Sequence, residues 1–234
     1  MRPLDLKKRL VISFVILALS MSLFVAATWA WFTQLIEDDQ TYTVGFVDID
    51  VDPYFEVWNE GTETYDRIEA TYVTLPENPA IAKTGVYLIV LDTKISPYFF
   101  ENFRLRFIVN SSVDTYFRVK IYEQLTLTYE NYQGGYTELT ILNNSYMPFD
   151  YDLTNWIDQR LYDDYMYYSV PVKRVDITTP TYIDLINDYT LDDFPIYDQN
   201  YSLQITFQLE AVQAYGGPQN EWGLSNKPWD NSDW

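Results

Sequence analysis

The residue types that most often carry catalysis are scarce in this chain of 234 residues. It has no histidine and no cysteine, so it offers no imidazole base, no Ser-His-Asp triad, no thiol nucleophile and no His- or Cys-ligated zinc site. Carboxylates are plentiful, with 34 Asp and Glu, and a glycosidase needs two of them. No spacing marks such a pair, so we predict no catalytic residue, no cofactor and no enzymatic activity. A carbohydrate-active enzyme stays as the weakest of three functional hypotheses.

Asp48, Asp50 and Asp52 are the arrangement that could suggest a metal ion. They alternate with Val47, Ile49 and Val51, which is the period of a β-strand with one apolar and one polar face. The run lacks the glycine and the distal glutamate of a calcium-binding loop. The sequence therefore favours a solvated strand face and predicts no metal site.

The longest apolar stretch, from Leu10 to Phe32, determines where the rest of the chain is expected. It follows a head in which Arg2, Lys7, Lys8 and Arg9 outnumber the acid Asp5. Basic residues remain on the cytoplasmic side of an export signal. We therefore predict that everything after this stretch is exported.

The end of the apolar stretch predicts a signal cleavage site. Thr28 and Ala30 are small residues at the third and first positions before a cut that would leave Trp31 as the new first residue. A cut after Ala27, with Val25 at the third position before it, is a weaker alternative. The 18 uncharged residues from Leu10 to Ala27 are also close to the length of a spanning helix, so a retained membrane anchor remains open.

The tract Thr28-Trp-Ala-Trp-Phe-Thr-Gln34, followed by Thr41-Tyr-Thr-Val-Gly-Phe-Val-Asp-Ile-Asp-Val51, resembles the start of the TasA/camelysin family of secreted matrix proteins of Gram-positive bacteria. Residues 117–121 and 209–214 are also similar to strands of that family. The resemblance implies a dedicated signal peptidase acting between Ala30 and Trp31, a jelly-roll fold, and assembly into extracellular biofilm fibres. In such fibres the N-terminal segment of one subunit completes the sheet of the next. Here that donor arm is residues 31–44, and the residues expected to pair are Phe32, Leu35, Ile36, Tyr42 and Val44.

Composition limits the choice of partners. Without the four bases and one acid of residues 1–30, the chain carries 11 basic and 33 acidic residues, a formal charge of −22. Such a charge repels phosphate backbones and anionic lipid surfaces. We expect other copies of the chain or a related matrix subunit as partners, no nucleic acid, and membrane contact through the leader alone before cleavage.

The pattern of the chain predicts an all-β fold, an antiparallel β-sandwich with one or two short helical insertions after an N-terminal signal helix, and the resemblance implies that this sandwich is jelly-roll-like. We expect a signal peptide over 1–30, the arm over 31–44, the sandwich over 45–215 and a polar tail with three tryptophans over 216–234. Without cysteines the sandwich must be held by its core. Strands are predicted at Thr41–Val51 with a bulge at Gly45, at Tyr54–Trp58, at Tyr65–Leu75, at Val86–Leu91 with both faces covered, and at Leu203–Ala211.

Turns and breaks are predicted from proline, glycine and asparagine. Pro53 is expected to end or bend the first strand, and Pro76–Pro79 and Lys83–Gly85 to form a loop and a turn. Asn131–Gly135 between two apolar runs predicts a hairpin. Helical spacing predicts one helix near 153–162 and a second beginning at Pro180, although Ile183 and Leu185 would also suit a strand.

Two strands, around Phe103–Val109 and Phe117–Tyr122, carry basic residues at the outward positions. Arg104, Arg106, Arg118 and Lys120 are predicted to lie on the outer faces of successive strands, joined by a turn at Asn110–Ser112, and so to form a small basic strip in an otherwise acidic protein. We interpret them as cross-strand partners of Asp and Glu rather than as a binding groove.

Three functions remain open from sequence. The first is a self-assembling subunit of an extracellular fibre or matrix, located outside the cell or at its surface. The second is a monomeric surface or wall-associated module that binds carbohydrate or protein through exposed Tyr and Trp. The third is the secreted carbohydrate-active enzyme named above.

Overall fold

The computed structural model describes residues 14–15, 20–21, 45–141, 146–188 and 194–234. The chain divides into two units, Met1–Val44 and Gly45–Trp234. The four described residues of the first unit, Phe14, Val15, Ser20 and Met21, are helical. Within the described ranges, no helix is long and apolar enough to cross a membrane. The predicted cleavage site and donor arm lie outside the described residues.

The second unit is a β-sandwich of two antiparallel sheets. One sheet has five strands, which in spatial order are β2 (Thr64–Glu69), β1 (Ile49–Asn59), β5 (Phe103–Val109), β11 (Thr181–Asp188) and β8 (Asp150–Tyr151). The other has seven, in the order β3 (Tyr72–Leu75), β4 (Asn78–Val90), β12 (Tyr201–Gln213), β6 (Thr115–Glu130), β10 (Met166–Tyr168) and β9 (Trp156–Asp158), with β7 (Tyr136–Ile141) also paired to β6. The chain changes sheet repeatedly along its length.

Helical structure in the second unit is brief. A 3-10 turn spans Phe100–Asn102, and two helices of four residues follow at α1 (Arg160–Asp163) and α2 (Gly217–Asn220). Neither is long enough to organise packing. The all-β fold class predicted from the sequence is confirmed.

An aromatic core fills the space between the sheets. Phe107 on β5 and Phe117 on β6 meet across it with ring centroids 5.3 Å apart, and Trp156 packs against both at 5.3 and 5.2 Å. All three side chains are almost completely buried. Edge-on and tilted ring pairs of this kind add to the hydrophobic stabilisation, so the core can hold the fold without disulfides.

Strand predictions that depended on strict alternation are confirmed. The inward residues of β5 are buried as the pattern indicated, and so are Leu203 and Ile205 of β12, whereas Phe207, Leu209 and Ala211 are only partly buried. The Asn131–Gly135 segment joins β6 and β7 as a hairpin. Val86–Leu91 falls largely within β4, between β3 and β12. Only Ile89 and Leu91 of this run are buried, so the prediction that both of its faces are covered is wrong. Gly45 does not form a bulge: it precedes β1, and a Cβ there would collide with Val113.

Of the two predicted short helices, the first is found only at its end and the second is wrong. Residues 153–162 contain strand β9 and α1, because Trp156 is drawn into the core between the sheets. The segment beginning at Pro180 contains β11, in which Ile183 and Leu185 are buried and Ile183 pairs with Phe107 of β5. Helical and strand periodicities coincide over such short apolar runs, and long-range pairing decided between them.

Proline and glycine interrupted the strands less than predicted. Pro53 lies inside β1, where its carbonyl accepts a hydrogen bond from Ala70 N–H. Asn78–Pro79 and Lys83–Gly85 lie inside β4, whose register with β3 shifts twice in this stretch. These residues therefore mark irregular pairing near the edge of the sheet, where proline and bulges are tolerated.

Candidate functional site

The predicted basic strip is divided by the fold. Arg104 and Arg106 lie on the five-stranded sheet, whereas Arg118 and Lys120 lie on the seven-stranded sheet. The alternate residues of both strands meet in the core, so the two basic pairs point to opposite outer faces. The prediction that they form one strip is wrong, because Asn110–Ser112 is a crossover between sheets and not a hairpin turn.

The interpretation of these residues as partners of acids is confirmed. Each basic side chain forms an ion pair with a different acid: Arg104 with Glu56 at 3.3 Å, Arg106 with Asp184 at 2.7 Å, Arg118 with Glu210 at 2.7 Å and Lys120 with Asp164 at 2.7 Å. Desolvation opposes ionisation of Glu210, but hydrogen bonds from Tyr165 and Arg118 lower its pKa overall. Each of these four basic side chains therefore already has an acidic partner within the protein.

The aspartate run near the start of the sandwich is a polar strand face. Asp48 and Asp50 are exposed, and Asp52 pairs with Arg67 of the neighbouring strand. Among the described residues, no three His, Cys, Asp or Glu side chains are placed to hold a metal ion.

The feature that stands out is an open backbone edge on β12. Its first half, through Thr206, lies between β4 and β6. Its second half, Phe207–Gln213, continues to pair with β6, but in the described part of the chain no strand pairs with its other side. Gly85 of β4, at a left-handed φ of +82°, lies where the two strands part. A strand with one unpaired side is a template for the addition of another strand.

The register of the sheet identifies the free backbone groups. In an antiparallel ladder, alternate residues exchange hydrogen bonds with their partners and the intervening residues point to the other side. Two hydrogen bonds bracket the β6–β12 ladder in the same register, Thr128 N–H to Asn200 O and Ala214 N–H to Asp114 O. Even-numbered residues of β12 therefore bond to β6. Leu209, Ala211 and Gln213 direct their N–H and C=O groups to the open side.

Strand β1 has a matching open edge. Two hydrogen bonds extend its ladder with β5, Asn110 N–H to Asp48 O and Ser112 N–H to Phe46 O. By the same parity, Ile49 and Val51 direct their backbone groups away from β5. Strand β2 does not pair with Ile49 or Val51, because the first residue of β1 that pairs with β2 is Tyr54.

Both open edges lie at one end of the sandwich. Ile49 pairs with Val109 at the end of β5, Gln213 pairs with Thr115 at the start of β6, and the short crossover 110–114 connects the two. The side chains of Ile49, Val51, Leu209 and Ala211 pack on the core but stay partly exposed. We call this end, formed by Val47–Val51 and Leu209–Gln213, the open slot.

A groove of about 630 Å³ runs around the β12 side of the open slot. It touches Val47 of the five-stranded side and Glu210 and Trp222 on the outer face of the seven-stranded sheet. Because the groove contacts residues on both sheets, it crosses the unpaired edge of β12 at Ala211. The slot can therefore bind an extended segment through backbone hydrogen bonds, with apolar contacts on its inner side.

Sequence reasoning placed Val47–Val51 and Leu209–Ala211 of the slot on strands without recognising the free edge, and it missed Val212 and Gln213. None of the predicted donor-arm or cleavage residues falls within the described ranges, so those predictions remain open. The usable signal was Gly85, which the sequence indicated as a turn and which marks where β4 stops covering β12.

Searches of protein-family models, curated proteins and solved structures found no match to this chain.

Proposed function

We propose that this protein is an exported structural subunit that assembles into extracellular fibres, with the N-terminal arm of one copy adding a strand to the open slot of the next. The observation that carries the proposal is the unpaired edge of β12, where Leu209, Ala211 and Gln213 present free backbone groups. Strand addition uses such groups for affinity and adjacent side-chain contacts for specificity.

The sequence of the arm supports this occupant. Residues 31–44 would span about 43 Å when extended, and Leu209 to Gln213 about 13 Å. The arm is thus long enough to fill a slot and leave a spacer between two bodies. Tyr42 and Val44 alternate with Thr41 and Thr43, which would set apolar side chains inward against the partly exposed core residues.

The start of the sandwich also suits a donated arm. Val47 lines the groove, and Gly45 packs so tightly on Val113 that the chain enters the sandwich beside the crossover. Cleavage between Ala30 and Trp31 by a signal peptidase would free the arm. The resemblance of residues 28–51 to TasA/camelysin proteins points to the same mode of assembly and to a biofilm matrix as its location.

Assembly tests the proposal directly. The chain beginning at Trp31 should sediment as large particles and form filaments in electron micrographs. The chain beginning at Gly45 should remain monomeric with the same far-ultraviolet circular dichroism. If both chains stay monomeric at high concentration, the proposal fails.

The absence of cysteine makes a covalent trap possible. One preparation carries Tyr42→Cys in the arm and the other Gln213→Cys at the slot, and the two are mixed under mild oxidation. A disulfide forms only when the Cα atoms approach to about 4.4–6.8 Å. We expect a disulfide-linked pair containing one copy of each, whereas Tyr42→Cys mixed with Tyr132→Cys, at the tip of the β6–β7 hairpin, should give none. Failure of the first pair, with Val44→Cys tested as an alternative position, would oppose the proposal.

A second candidate function, a monomeric carbohydrate-binding module, is supported by a smaller groove. It has a volume of about 260 Å³ and is lined by hydroxyl, amide and carboxyl groups of Thr74, Thr128, Tyr136, Glu138, Ser202 and Gln204, together with Val73, Pro76 and Leu88. Lys83 at 2.6 Å and Gln204 at 3.3 Å hold the carboxylate of Glu138. Binding of wall polysaccharide that Tyr136→Ala abolishes, in a chain that never assembles, would favour this function.

A further inference from the structure

We infer that Tyr215 and the C-terminal tail that follows it, residues 216–234, together called the tail below, form the outer wall of the open slot and contact the strand that enters from a second copy. This inference rests on the proposed function and assigns a role to a segment that the sequence indicated as a polar appendage. It follows from the position of the tail on β12 and from the residues that it presents to the groove.

The tail is held in place by its three tryptophans. Trp234 packs edge-on against Tyr116 at 5.1 Å, and Trp229 lies 5.6 Å from Tyr167. Trp222 covers the guanidinium of Arg118, whose carbon Cζ lies 4.6 Å from the Trp222 ring centroid. Arg118 is fixed in turn by its two hydrogen bonds to Glu210, of 2.9 and 2.7 Å. The tail is therefore anchored on the outer face of the seven-stranded sheet.

Two glycines turn the chain back along β12. Gly216 has a φ of +75°, and a Cβ on Gly217 would lie 2.8 Å from Cβ of Val212. This close approach brings Asn220, Glu221 and Trp222 to the groove beside Ala211. Larger residues at Gly216 or Gly217 would move this wall.

Two side chains of this wall have no ring pair or ion pair with any described residue. Tyr215 lines the groove and is 92% exposed, and it forms no ring pair with a described aromatic residue. Glu221 is exposed and forms no ion pair with a described residue. A strand added to the edge of β12 would direct alternate side chains outward to these residues. The phenol ring would then cover the strand.

The charge of the wall selects which part of the arm can lie against it. Glu221 would repel the run Glu37, Asp38 and Asp39, because like charges brought together in a partly desolvated groove are destabilising. The uncharged stretch Thr41–Val44 meets no such repulsion and offers hydroxyl groups to Asn220. The wall therefore favours a register in which the acidic run stays outside the slot, as the spacer between copies.

Substitution of Tyr215 tests this inference without endangering the fold, because the side chain is almost fully exposed. Tyr215→Ser is compared with Tyr132→Ser, an equally exposed tyrosine (95%) at the hairpin tip remote from the slot. In the chain beginning at Trp31, we expect Tyr215→Ser to raise the critical concentration for assembly about fivefold and Tyr132→Ser to leave it unchanged. A second variant, Trp222→Ala, should also raise the critical concentration, and an unchanged far-ultraviolet circular dichroism spectrum would show that the body remains folded.

The outcomes separate the inference from the function on which it rests. If the unsubstituted chain assembles and both tail variants match Tyr132→Ser, the tail is not the wall and the inference is overturned, while the proposed function stands. If the unsubstituted chain does not assemble, the proposed function fails and takes the inference with it. A raised critical concentration in the tail variants alone supports both.

Discussion

The two halves of strand β12 have the same sequence pattern and different surroundings. Apolar and polar residues alternate without interruption from Leu203 to Ala211. Leu203 and Ile205, between β4 and β6, are 0% exposed, whereas Leu209 and Ala211, paired on one side, are partly exposed. The difference comes from a neighbouring strand that ends its contact near Gly85 and not from β12 itself.

This contrast teaches that alternation reports the face of a strand but not its neighbours. An inward side chain is buried by the opposite sheet and by the strands on both sides. Where one flanking strand is missing, the same residue type stays partly exposed and the backbone beside it stays unpaired. The open half of β12 is thus an incomplete copy of the closed half, and a donated strand would complete it.

The largest expected difference between the halves is in the cost of truncating a core side chain. Ile205→Ala should lower the free energy of unfolding by about 4 kcal/mol, because it leaves a cavity in a closed environment. Leu209→Ala should lower it by about 1 to 2 kcal/mol, because its side chain is already partly exposed. Urea unfolding of the chain beginning at Gly45, monitored by tryptophan fluorescence, measures both. Equal losses would show that the second half is as closed as the first.

Two glutamines of β12 test which backbone N–H groups of this strand point to β6 and which point to the open side. Both side chains are exposed, but Gln208 directs its N–H to β6 and Gln213 directs its N–H to the open side. Gln208→Pro removes a ladder hydrogen bond and should destabilise the chain by about 3 kcal/mol. Gln213→Pro should change stability by less than about 1 kcal/mol but weaken assembly of the chain beginning at Trp31. Urea unfolding and sedimentation distinguish the two, and similar destabilisation by both prolines would contradict the assigned parity.

Strand β6 carries a largely buried carboxyl beside the closed half of β12, and this carboxyl makes stability depend on pH. Glu123, the cross-strand partner of Ile205, is desolvated by burial, which raises its pKa to about 7 against the opposing effects of Met147 N–H, Arg160 and Tyr151. Between pH 4.5, the usual value, and pH 7 the folded state therefore binds more protons than the unfolded state. It follows that the free energy of unfolding falls as the pH rises through this window.

Glu123→Gln should remove this dependence, because an amide keeps an oxygen that accepts the Met147 N–H bond and does not ionise. We expect the stability of the variant relative to the original chain to be about 2 kcal/mol greater at pH 8 than at pH 4.5. Unfolding curves at a series of pH values measure this, with the exposed Glu130→Gln as the control. Parallel curves for Glu123→Gln and the original chain would show that Glu123 titrates normally.

The smallest effect is expected at Gly85, where the two halves diverge. Its φ of +82° is unfavourable for other residues, and a Cβ there would meet nothing within 4 Å. Gly85→Ala should therefore cost about 1 kcal/mol from backbone strain alone. A neutral result in urea unfolding would indicate that β4 can follow β12 further than the structure shows.

Much of the fold could be predicted because its strongest strands alternate strictly. The buried faces of β5, β6 and β12 and the hairpin at Asn131–Gly135 were all readable from residue order. The segment that became β11 could not be assigned, because Tyr182, Leu185 and Ile186 fit a helical stripe as well as a strand. This segment is a strand because it pairs with β5, which is more than 70 residues away in sequence.

The sequence by itself determined the class of the fold, the faces of its main strands, and the lack of histidine and cysteine chemistry. Only the tertiary structure decided that β5 and β6 lie in different sheets, so that their basic residues point to opposite faces. The point at which β4 stops pairing with β12 and the position of the tail were likewise decided by the tertiary structure alone. Side-chain period is a local property of the chain, whereas a free edge is set by which distant segments fail to meet it.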